Sequence, residues 1–204
     1  MAVAPKLQWI CEHRFVQSHI GVITNVRHDH FEEMGRTLDD IARCLANTIP
    51  RNGILVTADE RFAPLFSDVA ASLGTRVVVV GADEVGRAEA LLEAKLDGNE
   101  DGFAGEVEEA LTTAVRKLHA ANVAIACRVA IEAGFAEGDV WDAARMLPRP
   151  RAKVAPLGDS KRVLVHMWSV NDIDSFQQLY RAVPNGTTVA LYNHRSDRPL
   201  RALA

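Results

Sequence analysis

The sequence predicts an α/β protein organised on a parallel sheet, and three observations carry that expectation. Residues 20–25 form a short β-branched apolar run without polar alternation, the pattern of a strand covered on both faces. Residues 54–57 and 76–81 (RVVVVG) repeat the pattern, and the segments between them place apolar residues at helical spacing. Strand, helix, strand, helix, strand is the α/β order. The first run reads as a central strand.

Taken in order, Thr37 and Asp40 match a capping box, and Leu38, Ile41, Ala42 and Leu45 follow at helical spacing until Pro50 and Gly53 end the element. A strand at 54–57, a helix over about 62–73 and a strand at 76–81 come next. Helical periodicity then dominates 84–96 and 106–133, broken by a Gly/Asp-rich loop at 97–105 and interrupted again around 119–122. The stretch 146–162 is rich in Pro and basic residues and reads as a linker. The expected division is therefore a first domain over 1–147 and a second over 148–204. The second opens with a strand at 163–168, a helix at 172–182 and a strand at 187–192, one βαβ unit.

Composition bounds the partners. Hydrophobic residues make up 48% and charged residues 25% of the 204, which excludes disordered and collagen-like chains. A formal net charge of -4 is too mild for a nucleic-acid coat, so no nucleic-acid partner is expected. The charge is split: residues 145–204 carry 10 basic and 4 acidic side chains, and residues 1–144 carry 13 and 23. The basic part suits phosphates or a polyanionic product, or is an ordinary solvated surface. Cys11, Cys44 and Cys127 lie far apart without a CxxC pair, which fits a reducing compartment. No secretory leader and no spanning run is visible, so a cytoplasmic location is expected.

The most informative segment is Thr24-Asn25-Val26-Arg27-His28-Asp29-His30, directly after the first apolar run. Ligands of open α/β sheets gather at the carboxyl ends of strands, so polar side chains bunched there are well placed for chemistry. His30 offers an imidazole to a divalent metal, and Asp29 a carboxylate to its water shell or to a neighbouring ring N–H. A turn satisfied by its own polar groups uses the same letters. An HD-type phosphohydrolase would set adjacent His and Asp on helices, and Cys11, His13 and His19 lack zinc-finger spacing.

Read with its sequel, the segment joins a longer string: Gly21 to Asn25, Asp29-His30, Met34-Gly35-x-Thr37-Leu38-Asp39-Asp40-Ile41-Ala42, then Ala46-Asn47-Thr48-Ile49-Pro50-x-Asn52-Gly53. That string resembles the Mur ligase superfamily of ATP-dependent amide ligases. It is most similar to the poly-γ-glutamate synthase branch, the ligase subunit of capsule synthesis. The TN, DH and MG.TL..IA elements are shared with folylpolyglutamate synthases; ANTIP.NG and the opening MAV.P.LQ point to the polyglutamate branch. Asn122 to Ala126 with Val129, Ala130, Ala133 and Gly134 is similar to a family helix. Trp168-x-x-Asn171-Asp172-x-x-Ser175 and Asn193-x-Arg195-x-Asp197-Arg198-x-x-Arg201 are similar to two later segments.

The resemblance implies a fold of part of a Mur-ligase-like central domain followed by the start of a second α/β domain. It implies ATP and Mg²⁺ as cofactors, glutamate and a poly-γ-glutamate chain as substrates, and membrane subunits of a capsule synthase complex as partners. In such chemistry ATP phosphorylates a carboxylate and an amine displaces the phosphate, with the protein chiefly supplying positioning and charge. By motif position His30 is the implied metal ligand, with Asp29 and Asn25 organising its shell; Asn122 falls at the adenine contact, and Asn171 and Asp172 join the nucleotide-binding set. Asp29, Arg195, Asp197 and Arg198 are the implied catalytic group. Read without the resemblance, Asn122 suits a helix N-cap and 195–198 a surface turn.

The sequence also departs from the pattern. Gly-x-x-x-x-Gly-Lys-Ser/Thr, the loop whose backbone N–H groups and lysine hold phosphates, occurs nowhere in the 204 residues. The family's metal-binding glutamate would fall just ahead of Met1, Leu45 replaces the lysine of the folate branch, and the hinge PDPGA becomes Pro148-Arg149-Pro150-Arg151-Ala152. The expectation is an internal fragment, inactive alone. A non-catalytic assembly module, another superfamily ligase such as folylpolyglutamate synthase, and a generic nucleotide-binding α/β protein are the alternatives.

Overall fold

A computed structural model describes residues 4–93, 103–158, 162–167 and 172–184. Its first sheet has three parallel strands, β1 (Ile20–Ile23), β2 (Ile54–Thr57) and β3 (Arg76–Val79), in that order and in register Ile20–Ile54–Arg76. The α/β expectation holds, with one correction. The central strand is β2; β1 lies at an edge of the sheet among the described residues, and Val22 is 40% exposed. β3 also ends two residues earlier than expected, because Val80 and Gly81 already lead into the next helix.

Leu55 and Val56 show why the sheet needs cover on both sides. They are neighbours on β2, both 0% exposed, and they enter different cores, as the two-residue period of a strand requires. Leu55 packs with Ile41, Ala42, Phe66 and Ala70, which come from α3 (Leu38–Leu45) and α4 (Ala63–Ser72). Val56 packs with Ala88 and Leu92 of α5 (Ala82–Leu92), Ala124 of α6 (Phe103–Glu132) and Trp141 of α7 (Glu137–Ala144). The expected capping box opens α3: the Asp40 N–H donates to Thr37 Oγ1 at 3.1 Å, and the Thr37 N–H donates to the Asp40 carboxylate at 3.1 Å. Ahead of the sheet lie α1 (Pro5–Ile10) and a π-helical stretch (Cys11–Val16), whose Glu12 accepts both the N–H and the hydroxyl of Ser18.

α6 corrects a second expectation. It runs for 30 residues without the break anticipated at 119–122, and helix already covers 103–105. Its first half packs a third core, Val107 and Leu111 with Leu179, Val154 and Val165. Those partners belong to β4 (Lys153–Pro156), β5 (Val163–His166) and α8 (Ile173–Ala182). β4 and β5 pair antiparallel, so the supposed linker at 146–162 contains a strand rather than only connecting chain. The strand expected at 187–192 lies outside the described residues, as does most of the 97–105 loop. No helix among the described residues is long and apolar enough to cross a membrane.

The amino ends of the three strands are tied by the turn 49–53. Asn52 adopts left-handed backbone (φ 51°), its N–H donates to the Leu73 carbonyl at 2.9 Å, and Thr75 Oγ1 donates to the Pro50 carbonyl at 2.6 Å. A Cβ on Gly53 would stand 2.5 Å from the His19 carbonyl oxygen. Gly53→Ala is therefore expected to cost roughly 2 kcal/mol or more, through overpacking against backbone. Gly86, inside α5 with nothing within 4 Å of the same position, should gain about 0.5–1 kcal/mol as Gly86→Ala. Urea titration of the two variants checks the contrast in sign.

Candidate functional site

At the carboxyl ends of β1 and β2 the chain leaves an open cleft of about 490 Å³, lined by Thr24, Asn25, Arg27, Ala58, Asp59, Glu60, Arg61, Leu118, Ala121 and Asn122. Parallel strands place their outgoing loops on one edge, so the residues after each strand share a rim. α6 crosses above it, presenting Leu118, the small side chain of Ala121 and the exposed amide of Asn122. Asn25 and Asn122, far apart in the sequence, thus meet in one space. Asn122 lies within α6 and caps no helix, which removes the alternative reading of it as an N-cap.

Asp59 fixes the rim. Its carboxylate accepts the Val26 N–H at 2.8 Å and the Phe62 N–H at 3.3 Å, holding the loop after β1 against the start of α4. Arg61 donates through Nη2 to the Val26 carbonyl at 3.0 Å and lies 3.5 Å from Asp59. The sequence reading missed Asp59, Glu60 and Arg61. The signal was present: a polar run directly after an apolar strand, the same rule that singled out residues 24–30.

Asp29 and His30 lie beyond this lining. The His30 N–H donates to Asp29 Oδ1 at 2.9 Å, and its ring Nε2 lies 3.5 Å from Asp29 Oδ2. His30 itself takes a left-handed backbone (φ 51°) at the start of the single turn α2 (Phe31–Met34), a conformation that costs a non-glycine residue about 1 kcal/mol. Among the described residues no group of three or more His, Cys, Asp and Glu is assembled to cage a metal. Mg²⁺, however, takes hard oxygen ligands, keeps several waters and leans on substrate phosphates. The Thr24 hydroxyl, Asn25 amide and Glu60 carboxylate on the rim suit an ion held in that way better than they suit a closed site.

Asp172 is placed as the N-cap of α8. Its carboxylate accepts the Ser175 N–H at 2.8 Å and the Ser175 hydroxyl at 2.7 Å, and Arg27 pairs with it at 3.3 Å and with Ser175 Oγ. Burial alone raises the Asp172 carboxyl, but the Ser175 hydrogen bonds and the Arg27 charge outweigh it and leave the group below its usual 3.8. Asn171, Arg195, Asp197 and Arg198 lie outside the described residues.

Two curated relatives match part of the chain. The capsule biosynthesis protein CapB of Bacillus anthracis is 43% identical over 79 residues, 39% of this chain and 17% of that protein. The matched part of the chain is CapB-like. PGA synthase CapB of Bacillus subtilis (strain 168) is 40% identical over 85 residues, 42% of this chain and 22% of that protein. The chain therefore spans about a fifth of the length of the curated relatives it matches. The CapB match covers two fifths of the chain, whereas the motif resemblance runs on to Arg201. No family model and no solved structure matches.

A carboxyl whose folded value lies below the unfolded one stabilises fully above the unfolded value and loses that contribution as pH falls through the folded one. Asp172→Ala should thus cost roughly 1–2 kcal/mol at pH 6, by loss of cap and ion pair. The gap from the unaltered chain should narrow steadily as pH drops below 3.8. Thermal melts of both proteins between about pH 2.5 and pH 6, which spans the ordinary carboxylate range, test this.

Proposed function

We propose that this chain is part of an ATP-dependent amide ligase that adds glutamate to a γ-linked polyglutamate chain in capsule synthesis. The observation that carries the reading is the meeting of Asn25 and Asn122 in one cleft at the strand ends, on a chain whose matched part is CapB-like. In this reading Asn122, beside Leu118 and Ala121, receives the base. Thr24 and Asn25 would serve the phosphates, through hydroxyl and amide groups that replace lost hydration. Asp29 orients His30, and that pair with the rim oxygens serves the Mg²⁺ side of the nucleotide. Bound Mg-ATP supplies the phosphoryl group that activates a carboxylate for attack by an amine.

Arg195, Asp197, Arg198, Asn171 and Asp172 enter by resemblance, as the part of the second domain, 148–204, that closes on nucleotide and substrate over the first, 1–147. The basic surplus of residues 145–204 suits a polyanionic product. Membrane subunits of a capsule synthase are the proposed partners, with the chain on the cytoplasmic side.

Calorimetric titration with Mg-ATP tests the reading. Asn122→Ala and Asn25→Ala should each weaken binding about tenfold, the worth of one or two well-placed hydrogen bonds. Unchanged affinity in both variants would sink it. Incorporation of labelled glutamate into a γ-linked product, on mixing the chain with a polypeptide that carries the phosphate loop, separates this ligase from one acting on folate.

A further inference from the structure

We propose that Arg61 is the contact for a phosphate oxygen of the cleft's ligand, a role that rests on the nucleotide reading above. The cleft is lined by two cations and two anions, so its recognition of an anion has to come from directed hydrogen bonds rather than from bulk charge. Asp59 is already engaged by the N–H groups of Val26 and Phe62, and its side chain is only 8% exposed. Arg27 is turned toward Asp172 and Ser175, which take up its charge. Arg61 is different.

Its Nη2 is anchored on the Val26 carbonyl, and its guanidinium carbon lies 4.5 Å from the centre of the buried Phe62 ring, a stacking distance. These two contacts orient the guanidinium, while Nε and Nη1 have no hydrogen-bond partner among the described residues and the side chain is 55% exposed. A guanidinium held at one corner presents its remaining donors in a fixed fork, the geometry that matches phosphate oxygens. Glu60, the other exposed rim charge, keeps the cleft from being a general anion trap.

The test is calorimetric binding of Mg-ATP, inorganic tripolyphosphate, adenosine and a γ-glutamyl oligomer to the 204-residue chain and to R61A and R61K. R145A, a charge removed from the exposed end of α7, serves as control. R61A should weaken Mg-ATP and tripolyphosphate tenfold or more and leave adenosine unchanged, and R61K should recover part of the loss. For Mg-ATP, tripolyphosphate and adenosine R145A should stay within about twofold of the unaltered chain, as a distant surface charge does. Thermal melts establish that each variant is folded, and R61K, which keeps the charge and the stem, decides the matter if R61A is not. Equal Mg-ATP affinity in R61A overturns the role of Arg61 and leaves the nucleotide reading standing. A loss confined to the γ-glutamyl oligomer overturns the phosphate assignment in favour of a carboxylate. Failure of the unaltered chain to bind either Mg-ATP or tripolyphosphate overturns both readings.

Discussion

The continuity of α6 is the constraint on which the rest of this structure depends. Its first half buries Val107 and Leu111 against β4, β5 and α8, and its second half buries Ala120, Ala124 and Cys127 against the parallel sheet. The apolar contacts change partners along the helix, but the buried positions Glu108, Thr112, Arg116, Ala120 and Ala124 keep one unbroken four-residue spacing from the first half into the second. At about 100° per residue each four-residue step advances the row by roughly 40°, so over these four steps the buried face drifts by roughly 160° around the helix. One rigid rod of about 45 Å thus serves two cores on opposite faces.

This explains what the sequence showed and what it hid. The short strands and the capping box of α3 were legible because each rests on local chemistry: β-branched runs and a Thr-x-x-Asp box. The supposed break at 119–122 was a real irregularity misread in kind. A helix that switches partners loses its single stripe just as a broken helix does, and periodicity alone does not separate the two. The edge position of β1 was hidden for a related reason, since an apolar run reports burial and not which strands pair. The strand at 153–156 was masked by the Pro residues at 148, 150 and 156, which punctuate it without preventing a short antiparallel pairing.

The motif string divides between the two ends of the sheet, and the division assigns each part a different kind of work. Asn47 to Gly53 lie at the amino ends, where Gly21 and Gly53 allow the turn to approach Pro50 and the His19 carbonyl. That end is architecture. Thr24, Asn25 and Asn122 lie at the carboxyl ends and face open space. Asp29 and His30 stand between the two roles, because the carboxylate that restrains the left-handed His30 backbone is the same one set beside its ring. The site was therefore half legible: the residues after β1 were readable from their strand, those after β2 obeyed the same rule unnoticed, and the α6 wall needed the fold.

Arg27 gives the cleft its reach into the rest of the chain. It leaves the loop after β1 and ends on the N-cap of α8, so the rim and the first turn of α8 share one ion pair. Side-chain exposures of 29% and 20% put that pair partly out of water, where it is screened less than a surface contact. α8 is otherwise held by Leu179 and Ala182 against the first half of α6. Any ligand that drew Arg27 into the cleft would have to leave Asp172 with only its Ser175 bonds, and so would loosen the start of α8. The converse follows by linkage: an α8 that keeps Asp172 on Arg27 holds that guanidinium, although it lines the cleft, back from a ligand there. A ligand that engaged Arg27 would thus couple the cleft to the seating of α8 through one guanidinium, while the packing of Leu179 would keep the helix attached.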